Sequence, residues 1–408
     1  MTRPRRAEAR ALGARAIVVV ALAAITSGCA TTVAGSAVRD AGFTPGEAIP
    51  ALLQPGNYPT TPHKPYGTAG DDGAVFEGHR MAEFVVGPWE VDPTLTRGGL
   101  NQGVVYTTPK AFGLVAGDSA VPDIVAKHAF VVGFSSSRST PPDAGPTRQL
   151  SNAVLRFATP DDAAAAATEL GAPHGPPFPG AATPVPYPVP GHPEAVSTTM
   201  PLTDGSVVVS SYTARGPYVL YVWTQAPNGD VDGAGRLSAK TIDMQGPRID
   251  GFAPTDPAKL ADLPLDPSGL MARTLPPPKT ATGLNYGTWG PRAALHFETD
   301  PVASAKMFAD AGVTVKTWGA SLILEAKDAP SAQRLLQGFR DRSTANKPTS
   351  GVPGLPSAKC STSDGTDPMQ PSVFCDYAVD RYVVAVASRQ DVDAQQQAAA
   401  QYLVLTAK

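Results

Sequence analysis

The sequence predicts an α+β fold: two α/β sandwich domains with antiparallel sheets, reading as a duplicated, ferredoxin-like pair behind a signal peptide and a flexible tether. Three observations carry this. A strand–helix–excursion–hairpin–helix unit occurs once in each half of the chain. Short helices alternating with strands, plus one antiparallel hairpin per unit, describe an α+β sandwich. The 380 residues behind the signal exceed one ordinary domain and point to two.

The N-terminus reads first as an address. Met1–Arg15 carries five arginines against the single acid Glu8, Ala16–Ile25 is an uncharged apolar run, and Thr26-Ser27-Gly28-Cys29 follows. A basic head, a short apolar stretch and a small-residue cleavage site make a secretory signal peptide. The apolar run is half the ~20 residues that a spanning helix needs. A cysteine directly behind small residues resembles the bacterial lipobox, which implies a diacylglyceryl thioether on Cys29. Two acyl chains hold a protein durably to a bilayer where one does not. The expected location is therefore the outer face of the cytoplasmic membrane, anchored to it and not spanning it.

The expected organisation runs from the signal (1–28) through a tether (29–54) and an N-terminal α+β domain (55–250). A proline-rich linker (251–290) then leads to a C-terminal α+β domain (291–408). In the first unit, helices are expected near Gly78–Phe84 and Thr108–Val115 and a strand at Ala129–Phe134. Ala153–Phe157 reads as a strand, and Thr159-Pro160-Asp161 supplies an N-cap and a first-turn proline for an alanine-rich helix. After a proline-rich excursion, strands Val207–Tyr212 and Tyr218–Trp223 turn through Arg215-Gly216-Pro217, and a helix closes the unit near Asp232–Gln245.

The second unit opens with a strand at Ala293–Phe297, a helix at Pro301–Ala311 and a strand at Val313–Thr317. Ser321–Ala326 then repeats the strand, Asp328-Ala329-Pro330 the helix start, and Ala332, Leu335, Leu336 and Phe339 one helical face. Strands Val373–Val379 and Tyr382–Ala387 turn around Asp380-Arg381, and Asp391–Leu405 is the last helix. Identity between the halves is slight.

Without residues 1–28 the chain has a net charge of −7 with histidine neutral and no Lys/Arg-rich run, which argues against a nucleic-acid partner. The cysteines number three. With Cys29 acylated, Cys360 and Cys375 form an even pair in an oxidising compartment, and a structural disulfide is expected. Closing that loop stabilises by about 3 kcal/mol in the chain-entropy model.

Gly56-Asn57-Tyr58-Pro59-Thr60-Thr61-Pro62 and the stretch from Arg80 to Pro93 resemble mycobacterial and nocardial cell-envelope lipoproteins. So does Arg292-Ala293-Ala294-Leu295-His296-Phe297, followed by Asp300-Pro301. The resemblance covers most of the mature chain and implies an actinobacterial envelope lipoprotein with an extracytoplasmic domain of unknown function. It brings no catalytic residues with it.

Motifs for chemistry are scarce. Gly319-Ala320-Ser321 starts G-x-S-x-G but continues Leu322-Ile323, and no serine begins S-x-x-K. The six histidines form neither H-x-H nor H-E-x-x-H, so no metal is expected. Asn228–Gly233 looks like a calcium loop, yet Ala239 stands where its bidentate Glu belongs, and a turn feeding an Asp-capped helix explains the same residues. No nucleotide-binding glycine motif occurs, and no cofactor is expected.

The candidate recognition surface is Arg80, Glu83, Trp89, Glu90 and Asp92, because Trp and Arg often anchor interfaces. A surface ion pair beside a core tryptophan accounts for the same residues. Tyr212, Tyr218, Tyr221 and Trp223 form an aromatic hairpin that either lines a groove or packs a sheet.

The leading reading is a non-enzymatic, membrane-anchored lipoprotein that binds a small amphiphile, a glycan or an envelope protein. The alternatives are a serine-type hydrolase of envelope lipid or peptidoglycan, and a structural or assembly factor.

Overall fold

In the computed structural model the described residues are 47–99, 102–277, 285–343, 346–363 and 371–407. The signal peptide, Cys29 and the tether up to residue 46 lie outside them. Helices α1 (Gly73–Ala82) and α2 (Pro88–Val91) lead into strand β1 (Gly103–Tyr106). Then come α3 (Pro109–Ala116), α4 (Val121–Lys127), β2 (Phe130–Ser139), β3 (Gln149–Phe157) and α5 (Pro160–Gly171). Strands β4 (Val185–Pro186), β5 (Val196–Pro201), β6 (Val207–Arg215) and β7 (Tyr218–Ala226) complete the first sheet, and α6 (Val231–Asp250) follows.

The second set is β8 (Gly287–Trp289), α7 (Pro291–Leu295), α8 (Pro301–Ala311), β9 (Val315–Trp318), β10 (Ser321–Glu325) and α9 (Ala329–Arg342). It ends with β11 (Asn346–Pro348), β12 (Lys359–Ser363), β13 (Val373–Val379), β14 (Tyr382–Ser388) and α10 (Asp391–Thr406).

The two sheets have one topology. Their spatial orders are β1-β2-β3-β7-β6-β5-β4 and β8-β9-β10-β14-β13-β12-β11, with every pairing antiparallel. Counted from its first strand, each sheet runs first, second, third, seventh, sixth, fifth, fourth. Two helices follow the first strand in each, one follows the third and one follows the seventh. The two units thus repeat one plan. The α+β class holds, and each sheet carries more strands than a ferredoxin-like β-α-β-β-α-β unit.

A buried polar clamp repeats as well. Gln245 of α6 accepts from the Val86 amide (2.8 Å), donates to the Phe84 carbonyl (2.9 Å) and is braced by Asn152 Nδ2 (2.8 Å). Gln401 of α10 accepts from the Leu275 amide (2.8 Å), donates to the Arg273 carbonyl (2.7 Å) and is braced by Ser321 Oγ (2.5 Å). Asn152 and Ser321 hold the same register position, opposite Val222 and Val386. Each clamp fixes the backbone that enters its unit. A leucine has no polar atoms to replace either bond, and an orphaned buried amide or carbonyl costs about 1–3 kcal/mol. Gln401→Leu is therefore expected to lower stability by about 2–5 kcal/mol, and Gln245→Leu by a similar amount. Thermal unfolding followed by circular dichroism measures both; a loss below about 1 kcal/mol would remove the clamp from the account.

Local chemistry explains the helix starts. Thr108, Thr159, Asp300 and Asp328 each accept an amide three residues on, ahead of a first-turn proline. Asp230 caps α6 through the Gly233 amide (2.9 Å), so the calcium-like residues serve as a turn and cap. Gly117 and Gly312 end α3 and α8 in left-handed conformation, which a side chain would strain.

Each sheet has helices on both faces. In the first, Ala153, Leu155, Val219 and Tyr221 pack with α3, α4 and α5, while Val132, Phe134, Val154 and Leu220 face α1. In the second, Ile323, Val384 and Val386 meet α10, while Leu324 and Val383 join α8 and α9. The α1 face of the first sheet and the α7–α9 face of the second share one apolar cluster, with Trp89 and Trp289 inside it.

Three stretches depart from expectation. Ala293–Phe297, expected as a strand, begins inside α7: Gly290-Pro291 starts the helix, and Glu83 accepts the amides of Arg292 (3.1 Å) and Ala293 (2.8 Å) at its first turn. Residues 47–54, at the end of the expected tether, are built into the second unit. Ala48 and Leu53 pack on its core, and the Ile49 amide bonds the Gly354 carbonyl (2.7 Å). Described residues of the expected linker are likewise tied down, with Phe252 in the shared cluster and Leu270 in the second core. Cys360 and Cys375 face each other across β12 and β13, Cα atoms 4.1 Å apart, and are disulfide-bonded.

Candidate functional site

The repeated plan itself points to the site. Hairpin β6–β7 closes on the pair Arg215–Tyr218, and β13–β14 closes on Val379–Tyr382. Counted from those turns, Tyr212 and Tyr221 face each other in the first hairpin, and Asp376 and Ala385 occupy the same two positions in the second. In the first unit both tyrosines are buried with ring centroids 4.9 Å apart, and Phe112 of α3 packs edge-on against Tyr221 at 5.3 Å. They fill the space between sheet and helices. With Asp and Ala in their place, the second unit has a cleft of about 730 Å³ between α9 and its sheet.

Apolar side chains line the walls: Leu322 and Leu324 of β10, Leu336 and Phe339 of α9, Phe374 of β13, and Val383 of β14. Alternation along the strands and the i, i+3 spacing on α9 turn them to a common space. Polar groups are few. Arg340 Nε donates to Asp376 Oδ1 at 2.6 Å, and its fork also reaches the carbonyls of Asp376 (2.9 Å) and Ser357 (3.3 Å). Burial pushes the Asp376 carboxyl above the ordinary range, while Arg340 and Lys359 pull it back. Glu298, also at the cleft, is held by buried Lys316 at 2.8 Å. The lining contains no histidine, and its cysteine, Cys360, is in the disulfide. Such a cleft can sequester an apolar group and orient a polar one.

A serine and a histidine do meet elsewhere. His296 Nδ1 lies 2.8 Å from Ser136 Oγ, and its Nε2 lies 3.2 Å from the Ala82 carbonyl. Both residues are 0 % exposed, and the ring sits against Phe134 and Trp89 at 5.0 and 5.3 Å. Burial lowers the imidazole pKa to about 4. Hydrolysis needs a base oriented by a carboxylate at a pocket mouth. Here the second nitrogen faces a carbonyl, and no substrate reaches the pair.

The five candidate recognition residues meet partners from distant parts of the chain. Arg80 pairs with Glu77 (2.5 Å), bonds Thr255 Oγ1 (2.6 Å) and lies over Phe252; Glu83 takes the α7 amides instead of Arg80. Trp89 is buried in the shared cluster, off the surface. Glu90 receives two bonds from Arg248 (2.7 and 2.9 Å), which hold its carboxyl below the usual range against the desolvation that would raise it. Asp92 pairs with Arg148 (2.8 Å). Of the aromatic hairpin, Tyr212, Tyr218 and Tyr221 are buried and Trp223 is half-buried.

His174 bonds the Glu169 carbonyl, and His192 contacts Glu194 and Asp243. Among the described residues no three of His, Cys, Asp or Glu come together to hold a metal ion, and no helix is long and apolar enough to cross a membrane. Asp376 and Ala385 escaped the reading of the sequence; aligning the two hairpins on their turns is the signal that finds them.

The domain of unknown function DUF7373 matches in two parts: its N-terminal region over residues 64–265, which hold the first sheet, and its C-terminal region over residues 270–408, which hold the second. No curated protein matches the chain. Among solved structures, the extracellular domain of PknH from Mycobacterium tuberculosis is similar at 16 % identity, covering 45 % of this chain and 98 % of that one with a TM-score of 0.28. With both its regions matched in order, the chain belongs to the DUF7373 family.

Proposed function

We propose that this protein is an extracytoplasmic lipoprotein, acylated at Cys29, that binds the apolar part of an amphiphile in the cleft beneath α9. One observation carries the reading: the space that tyrosines fill in the first unit is an apolar-walled cleft of about 730 Å³ in the second. Ligand pockets are typically ~300–1,000 Å³, mostly apolar, with a few placed polar groups. Arg340, Asp376 and Lys359 would be those groups. The Cys360–Cys375 disulfide fits an oxidising compartment. The lipobox-like end of the signal supports the anchor, and two acyl chains are enough to retain it.

The test uses residues 30–408 secreted from an actinobacterial host with a cleavable signal. Native mass spectrometry should show a stoichiometric lipid adduct, and dansyl-undecanoic acid should bind with a fluorescence rise that the extracted lipid reverses. A clean apo mass together with no probe binding would overturn the reading.

A further inference from the structure

We infer that the first unit carries a second, separate site: a small polar hollow on the α3 side of its sheet that takes a sugar ring bearing one anionic group, carboxylate or phosphate. Its floor is built by register. Ser137 of β2, Ser151 of β3 and Trp223 of β7 stand directly opposite one another on three adjacent strands, with Ser139 and Gln149 paired in the next row on the same face. Val115 of α3 forms one wall, and the chain at Arg97-Gly98-Gly99 forms another, hydrogen-bonded to Ser139 through both backbone groups of Arg97. The hollow holds about 330 Å³, the low end for ligand pockets and suited to one small molecule.

The lining chemistry selects the ligand. Ser137 and Ser151 hydroxyls lie 2.7 Å apart, and Gln149 Nε2 reaches Ser137 Oγ at 3.4 Å. One proton of that serine pair, the second Gln149 N–H and the Gln149 carbonyl remain to be used. A row with both donors and acceptors suits vicinal hydroxyls, which also both donate and accept. Half-buried Trp223 adds a ring whose negative face attracts the C–H side of a pyranose. No Asp or Glu lines the hollow.

Two arginines do line it. Arg138 is committed to the carbonyls of Thr96 (3.1 Å), His296 (2.8 Å) and Glu298 (2.9 Å). Arg97 is exposed, and its guanidinium has no ion pair or side-chain hydrogen bond among the described residues. A guanidinium fork matches a carboxylate or a phosphate. A uronic acid and a sugar phosphate share this chemistry.

The full chain, purified in a detergent without a sugar headgroup, would be titrated calorimetrically with glucuronic acid, glucose 1-phosphate, neutral glucose and inorganic phosphate. At least one charged sugar is expected to bind with Kd below about 1 mM, and at least tenfold more tightly than glucose or phosphate alone. Which of the two binds identifies the acid as carboxylate or phosphate. Arg97→Ala, an exposed change, should weaken binding about tenfold, with Arg97→Lys recovering part of it. Failure of both charged sugars to bind, equal binding of glucose or phosphate, or an unchanged affinity in Arg97→Ala would each overturn the inference. None of these outcomes bears on the cleft beneath α9, which is read with the lipid probe.

Discussion

Exchanging Glu77 for alanine is expected to lower the unfolding free energy by about 3–5 kcal/mol, among the largest effects of any single substitution in the fold. Glu77 is 0 % exposed on α1, and its carboxylate meets Arg156 of β3 at 2.5 Å and Arg80 at 2.5 Å. It also accepts the Thr255 amide at 2.8 Å and the Thr255 hydroxyl at 3.0 Å. One side chain thus joins the first helix, an inner strand of the first sheet and the stretch behind α6.

Burying an ion pair gains little in itself, because desolvation offsets most of the attraction. Removing one partner is different: Arg156, 4 % exposed, would keep its charge with no carboxylate beside it. Glu77→Gln keeps an acceptor for Thr255 and should lose less. Urea unfolding checks both, with the midpoint shifting and the slope unchanged if the compactness of the two end states is preserved. A Glu77→Ala midpoint within about 1 kcal/mol of wild type would show that water or a rearranged side chain serves Arg156.

This cluster also shows what a sequence conceals. Arg80 to Asp92 stand out as charged and aromatic residues in a short stretch, which reads as a surface. Beside near partners such as Glu77 and Thr94, they meet Thr255, Arg292, Ala293, Arg248 and Arg148, each more than fifty positions away. No local pattern reports such pairings. The same limit explains α7: Ala293–Phe297 is too short for periodicity to tell a strand from a helix turn, and the carboxylate at its first amides belongs to Glu83.

Where spacing and caps suffice, the reading was close. The helices after Thr159, Asp300 and Asp328 start where threonine or aspartate precedes a proline, and both hairpins turn where expected. The short strands β1, β4, β5, β8, β11 and β12 are not marked in the sequence; runs such as Lys359–Ser363 lack apolar alternation and gain their partners only within the sheet. The repeated unit was visible from its helix starts and hairpins. Its seven-strand order needed the short edge strands.

Ala385→Tyr is expected to abolish amphiphile binding while leaving the protein folded. The first unit supplies the precedent, since Tyr221 occupies the same register position on the same kind of hairpin. Space is present, as the cleft of about 730 Å³ opens directly over Ala385. Burying a large side chain contributes about 1.5–3 kcal/mol, whereas forcing one into a filled core costs about 1–3 kcal/mol. A cleft with room for the ring therefore favours an unchanged or raised melting temperature.

The phenol would occupy the volume that the ligand needs, so affinity for dansyl-undecanoic acid should fall at least about a hundredfold, or 2.7 kcal/mol. The two readouts move in opposite directions only if the cleft is the site. A stable variant with wild-type probe affinity would place the ligand elsewhere. A variant that loses both stability and binding would show that the tyrosine cannot enter, and that α9 already lies closer to the sheet than its counterpart α5 does.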